Sequence, residues 1–86
     1  MAPLLPYDPV RRVQIIGDLW KATRNGRTLT VELRTHPMGW ELRGLVGLEI
    51  QRTQVCNTEP AVVSTSESWR TEAETKGWNM CPAKAR

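Results

Sequence analysis

Apolar and polar residues alternate on both sides of the dipeptide Asn25-Gly26, and the two alternations are in register. Asn and Gly both tolerate the positive φ that a type I′ turn needs at its two central positions. Pairing outward from this turn sets Trp20 opposite Val31. One face then collects Trp20, Ala22, Leu29, Val31 and Leu33, while the other collects Lys21, Thr23, Thr28, Thr30 and Glu32. The pattern predicts an antiparallel β-hairpin with one dry face and one face toward water.

The alternation is interrupted near the start of the first strand. Val13 and Ile15 are odd-numbered, whereas Trp20 is even-numbered, so a shared face requires an extra residue. Gly17-Asp18 is the natural position for such a β-bulge. Without a bulge, Val13, Ile15 and Leu19 lie on the polar face, where an apolar patch would be a surface for a partner.

Two further strands follow the hairpin. The second strand should end near Thr35, because the proline after His36 cannot donate to a ladder. Alternation resumes over residues 40–43 and again over 48–52, and the glycines between them predict a tight turn near residues 45–47. The fourth strand should end at Val55 or Cys56. Short connections between consecutive antiparallel strands predict the sheet order 1-2-3-4.

Beyond the fourth strand the apolar period becomes helical, with a stripe formed by Val62, Ser66, Trp69 and Ala73. Two starts are open: a Thr58 cap with Pro60 in the first turn, or a Ser64 cap with Glu67 in a capping box. Gly77 is placed to end the helix in the left-handed conformation.

These elements predict one α+β domain over residues 11–78: a four-stranded antiparallel meander with one C-terminal helix packed on one face. A proline-rich arm over residues 1–10 should precede this domain. Residues 79–86 should form a flexible C-terminal tail.

The segment from Ser66 through Arg70 to Trp78, following Arg52 to Val55, resembles small uncharacterised bacterial proteins with a ββββα plan. The resemblance covers roughly residues 39–78 and implies a fold without implying an activity. Proteins of this kind are common cargo of mobile genetic elements such as integron cassettes.

Composition narrows the functional classes only modestly. The chain has 86 residues, a net charge of +3 and four Trp but no Phe, so its aromatic core must rest on tryptophan. No apolar run approaches the roughly 18 residues that span a bilayer, and the start lacks the basic region of a signal peptide. A cytoplasmic protein is expected, with Cys56 and Cys81 as reduced thiols, although a disulfide between them stays open.

Catalytic chemistry is not indicated. The single histidine, His36, precedes a proline in an expected turn and has no nucleophile nearby in the predicted sheet order. The two cysteines and few aspartates give no metal-ligand spacing. Gly44 and Gly47 do not form a phosphate-binding loop. We therefore expect no enzyme, no cofactor and no metal.

Two functional hypotheses follow. The first is a homo-oligomeric binding or adaptor module, with a candidate interface of Val13, Ile15, Leu19 and Trp78. The second is a nucleic-acid-binding protein that uses the polar face of the sheet and the tip of its hairpin. Its candidate contacts are Lys21, Arg24, Arg27, Thr28, Thr30 and Arg34.

Overall fold

A computed structural model of the protein describes residues 15–82, and these residues form an antiparallel sheet with one helix across one face. The elements are β1 (Ile15–Arg24), β2 (Arg27–His36), β3 (Gly39–Val46), β4 (Glu49–Cys56), α1 (Glu59–Thr75) and β5 (Asn79–Met80). The strand order is β4-β3-β2-β1-β5. The predicted α+β class and the four-stranded meander with its C-terminal helix are therefore confirmed, and β5 is a minor addition.

The hairpin turn has the predicted geometry. Asn25 has φ 53° and Gly26 has φ 77°, the two positive values that a type I′ turn requires. Trp20 pairs with Val31, and the register from there to the turn agrees with the sequence pattern. Ala22 and Val31 are fully buried on the helix side of the sheet.

The strand irregularity lies on both sides of the predicted bulge at Gly17-Asp18. The register shifts once between Ile15 and Gly17 and again between Asp18 and Trp20. Two shifts in place of one leave Ile15 paired with Arg34, on the face away from the helix. Val13 lies outside the described residues.

Part of the predicted flexible tail is ordered as a strand. Asn79 and Met80 pair with Thr23 and Ala22 on the outer edge of β1, and the amide of Cys81 donates to the carbonyl of Lys21 at 2.9 Å. The sequence carries little sign of this strand, because two residues are too few to show an alternating pattern.

Helix α1 begins at the earlier of the two predicted starts. Thr58 is the N-cap, and its Oγ1 accepts a hydrogen bond from the amide of Ala61 at 3.2 Å. At the other end Gly77 takes φ 91°, and the amide of Trp78 donates to the carbonyl of Ala73 at 3.0 Å. This is the Schellman ending that the glycine predicts, and it turns Trp78 back toward the sheet.

The core lies between the helix and the middle strands. Its buried members are Val31, Leu42, Cys56, Val62 and Trp69, with Trp20, Leu33, Trp40 and Ala61 packed around them. Gly44 is buried beneath the helix, and a Cβ there would lie 3.7 Å from Cζ3 of Trp69. Trp69 therefore packs directly over the backbone of β3 at this position.

In the part of the chain that the structure describes, no helix combines the length and the apolarity needed to cross a membrane.

Candidate ligand-binding cleft

A cleft of about 290 Å³ opens between the hairpin turn and the C-terminal end of α1. Its floor is apolar, with Leu29, Val31 and Val46 on the sheet. Its walls carry three of the four tryptophans: Trp20, Trp69 and Trp78. The C-terminal end of α1 reaches the hairpin, where Arg24 contacts the carbonyl of Lys76, and the space lies between the two. We call this space the cleft.

Two arginines flank the hairpin turn and line the cleft. Arg24 has the same strand parity as Trp20 and Ala22, and Arg27 has the parity of Leu29, so both lie on the helix side. The two residues are direct cross-strand partners. Like charges opposite each other destabilise a strand pair, so this placement costs free energy unless a negative group lies nearby.

Arg24 is held by the end of the helix. Its Nη1 donates to the carbonyl of Lys76 at 2.7 Å, and its guanidinium lies 4.7 Å from the ring centroid of Trp78. It therefore satisfies one of the terminal helix carbonyls and places a cation at the negative end of the helix dipole.

Arg52 crosses from β4 to the helix. Its guanidinium lies 4.3 Å from the ring centroid of Trp69 and donates to the carboxylate of Glu72. The hydrogen bond and the positive charge of Arg52 lower the pKa of Glu72 below its ordinary value of 4.5. This carboxylate is consequently ionised at neutral pH and forms an ion pair with Arg52.

The cleft has an excess of positive charge. Four cationic side chains line it, namely Arg24, Arg27, Arg52 and Lys76, against the single carboxylate of Glu72. Among residues 15–82, the guanidinium of Arg27 has no hydrogen-bond or ion-pair partner. The ammonium of Lys76 has neither contact, but its positive charge acts on Glu72 and contributes to the lowered pKa of that carboxyl. The arrangement can therefore accept a negative group above an apolar and aromatic surface.

The opposite side of the sheet, which we call the open face, has balanced charges. Arg34 bonds Glu32 at 2.9 Å, and Arg43 bonds Glu41 at 3.3 Å. Lys21 lies 3.6 Å from Asp18. These contacts neutralise most of the cationic groups on this face.

The structure separates the residues predicted to contact nucleic acid into two groups. Lys21, Thr28, Thr30 and Arg34 lie on the open face, whereas Arg24 and Arg27 line the cleft on the other side. No single flat surface presents all six. The charges of Lys21 and Arg34 are also paired with carboxylates.

The predicted oligomer interface is divided as well. Ile15 and Leu19 are 59% and 39% exposed at the start of β1, whereas Trp78 lines the cleft at the other end of that strand. Val13 is outside the described residues. Ile16, beside Ile15, is 55% exposed and adds to the apolar surface there.

The cysteines lie on opposite edges of the sheet. Cys56 ends β4 and is buried with its Sγ 3.6 Å from Oγ1 of Thr65, whereas Cys81 is exposed beside β1. Both are free thiols. Three strands, β3, β2 and β1, lie between β4 and β5, and this separation is far beyond the roughly 7 Å limit between Cα atoms of a disulfide.

No other cluster of reactive groups stands out in the described range. His36 accepts a hydrogen bond from the amide of Met38 through Nδ1 at 3.0 Å, a local turn contact. Among residues 15–82, no group of three or more His, Cys, Asp or Glu side chains could hold a metal ion.

Three residues of the cleft were not predicted from the sequence as members of a site: Arg52, Glu72 and Lys76. Arg24 and Arg27 were predicted to lie at the hairpin tip, but not on the helix side. The two-residue alternation of each strand does predict the helix side for both arginines, because Arg24 follows Ala22 and Arg27 precedes Leu29 on the dry face. The position of the helix end over the sheet had no comparable sequence signal.

Comparison with protein-family models, with curated proteins and with solved structures finds no match for the chain.

Proposed function

We propose that the protein is a small cytoplasmic binding or adaptor module, without catalysis of its own, that binds a ligand carrying both a negative group and a flat apolar part. The ligand's negative group lies against Arg27 and Lys76, and its apolar part lies on the floor of the cleft. The observation that carries this proposal is the excess positive charge of the cleft, in which four cationic side chains share one carboxylate, Glu72, that bonds Arg52 and also interacts with the charge of Lys76.

A bound anion would relieve charge repulsion within the cleft. Arg24 and Arg27 are adjacent like charges on paired strands, and no described carboxylate bonds either one. A bound anion removes that repulsion and makes charge-assisted hydrogen bonds, which are about twice as strong as neutral ones. The apolar floor and the indole rings supply the contact area that a small anion lacks.

Two free thiols, one of them exposed, suit a reducing compartment and support the cytoplasmic assignment.

Nucleic-acid binding is the second candidate, and the cleft favours a single strand over a duplex. Single strands are bound by aromatic rings that stack on bases and by cations that follow the phosphates. Trp78 and Arg27 offer this combination in the cleft. On the open face, Lys21 and Arg34 are paired with carboxylates, which leaves little positive charge for the phosphates of a duplex.

The test uses three small probes and a matched pair of variants. The probes are 1-naphthyl phosphate, which has both parts of the proposed ligand, 1-naphthol, which lacks the charge, and inorganic phosphate, which lacks the ring. Binding is followed by calorimetry for the wild type, for Arg27→Glu and for Arg70→Glu. Arg70 is an exposed helix residue outside the cleft, so its variant carries the same change in net charge.

We expect the naphthyl phosphate to bind more tightly than either partial probe. Arg27→Glu should weaken its binding by about tenfold or more, since a hydrogen bond to a charged group contributes about 1.5 to 3 kcal/mol. Arg70→Glu should leave it unchanged. Equal affinity in the two variants, or no binding to the wild type, would contradict the proposal.

An oligothymidylate single strand separates the two candidates. If it binds with an affinity that falls steeply with salt and is lost in Arg27→Glu, the nucleic-acid candidate is favoured. If it fails to bind while the naphthyl phosphate binds, that candidate is rejected.

A further inference from the structure

The open face of the sheet carries an ordered arrangement of charges and apolar residues. Read across from β1 to β4, one row holds Ile15, Arg34, Glu41 and Val55, and the next holds Asp18, Glu32, Arg43 and Thr53. In the two central strands, carboxylate and guanidinium alternate both along each strand and across the pair. Apolar residues close the first row at both ends.

This arrangement is complementary to its own image. Two copies related by a two-fold axis parallel to the strands, with their open faces together, bring β1 of one copy over β4 of the other. In the first row, Ile15 of one copy then faces the other copy's Val55, and Arg34 faces Glu41. In the second row, Glu32 faces Arg43. Every central charge meets its opposite, as an isologous interface requires.

The charges in the centre are already partly withdrawn from water. The side chains of Arg34 and Glu32 are 19% and 16% exposed, and those of Arg43 and Glu41 are 26% and 15% exposed. Most of the desolvation cost of these ion pairs therefore falls within the single chain, and pairing of two copies adds less of it. By contrast, Ile15 and Val55 are 59% and 41% exposed, and pairing of two copies would bury their apolar surface.

We propose that the open face binds a second copy of this chain, face to face, as a symmetric sandwich of two sheets. Aligned packing of two sheets is an ordinary arrangement for antiparallel structures. The proposal is independent of the cleft, which lies on the other side of the sheet and stays accessible in the dimer.

The area of the proposed interface limits the affinity of the dimer. A third row holds Lys21, Thr30, Leu45 and Ile50. Four strands about 4.8 Å apart and three rows about 7 Å apart cover on the order of 400 Å² in projection. Standard interfaces bury roughly 800 Å² per partner. We therefore expect a dimer that dissociates on dilution.

Sedimentation equilibrium of the full chain, from micromolar to near-millimolar concentration, tests this interface with three variants. Ile15→Lys and Val55→Glu each place a charge against an apolar residue of the other copy. Val63→Lys is the control, because Val63 is 61% exposed on the helix and away from the open face. Ile15 and Val55 lie on separate strands with β2 and β3 between them, so neither variant disturbs a contact of the other within one chain.

We expect the wild type and Val63→Lys to dimerise alike. Ile15→Lys and Val55→Glu should each weaken dimerisation by about tenfold or more, because an unpaired charge is desolvated at two equivalent places. An equimolar mixture of the two variants should dimerise again, since a mixed pair sets the new lysine against the new glutamate and leaves Val55 against Ile15. A wild type that is monomeric at all concentrations would overturn the proposal. So would a wild type that dimerises while the mixture of the two variants stays monomeric.

Discussion

The indole nitrogen of Trp20 in β1 donates a hydrogen bond to Oγ of Ser66 in α1 at 3.2 Å, across 46 residues of sequence. This contact joins the first strand to the helix that covers the sheet. It also accounts for the serine in the otherwise apolar stripe of α1, because a partly buried indole N–H needs an acceptor.

A double-mutant cycle at this contact measures its contribution to stability. Ser66→Ala should lower the free energy of unfolding by about 1 kcal/mol in the wild type and by close to nothing in a Trp20→Phe background. Trp20→Ala should lower it by about 3 kcal/mol, since it also empties space beside the core. Urea unfolding of the wild type, the two single variants, the double variant and Trp20→Ala measures these effects. Equal effects of Ser66→Ala in both backgrounds would show that the hydrogen bond does not form.

Gly39, the first residue of β3, and Gly47, in the turn between β3 and β4, should respond differently to alanine. Gly39 has φ 134°, and a Cβ there would lie 2.5 Å from the carbonyl oxygen of Cys56 and 2.9 Å from Cα of Asn57. Gly47 also has a positive φ, 63°, but has open space where a Cβ would lie. Gly47→Ala should therefore cost about 1 to 2 kcal/mol from the backbone alone, and Gly39→Ala should cost clearly more. Thermal unfolding distinguishes them, and a milder effect at Gly39 would contradict the close approach of β3 to the end of β4.

The ion pair between Arg52 and Glu72 predicts a pH dependence of stability. Because the folded pKa of Glu72 is lowered from 4.5, its contribution is present above that value and is lost as the pH falls through the folded pKa. The stability difference between wild type and Glu72→Gln should thus be seen at neutral pH, shrink below pH 4.5 and decrease with added salt. Urea unfolding at several pH values measures it, with Glu67→Gln as the control. A difference that does not change with pH would rule out this origin.

The two arginines beside the hairpin turn should have unequal effects on stability. Arg24→Met removes the hydrogen bond to the helix end and should destabilise the protein by about 1 kcal/mol. Arg27→Met removes a cation that opposes Arg24 across the strand pair and has no described partner, so it should be neutral or slightly stabilising. Hydrogen exchange at the amide of Trp78 should speed up in the first variant only. Equal behaviour of the two variants would contradict the assigned contacts.

Much of the fold was predictable from local chemistry. Asn25-Gly26 fixed the hairpin and its register, and Gly77 fixed the end of the helix, because few residues tolerate positive φ. The irregularity around Gly17 was harder to predict. The alternation of apolar and polar residues shows that an extra residue is present, but it does not show at how many positions the register of the strand pair shifts. The cleft could not be predicted, because it depends on where a helix of fixed length ends above the sheet. The charge rows of the open face likewise need the register of all four strands.

The four indole N–H signals of the protein give the most direct test of the central claim, that the cleft binds an anion with a flat apolar part. Trp20, Trp69 and Trp78 line the cleft, whereas Trp40 packs on the core outside it, so the chain contains its own control. A nuclear magnetic resonance titration with 1-naphthyl phosphate should shift the three signals from the cleft and leave that of Trp40 in place. Shifts of all four signals alike, or of none, would contradict the claim.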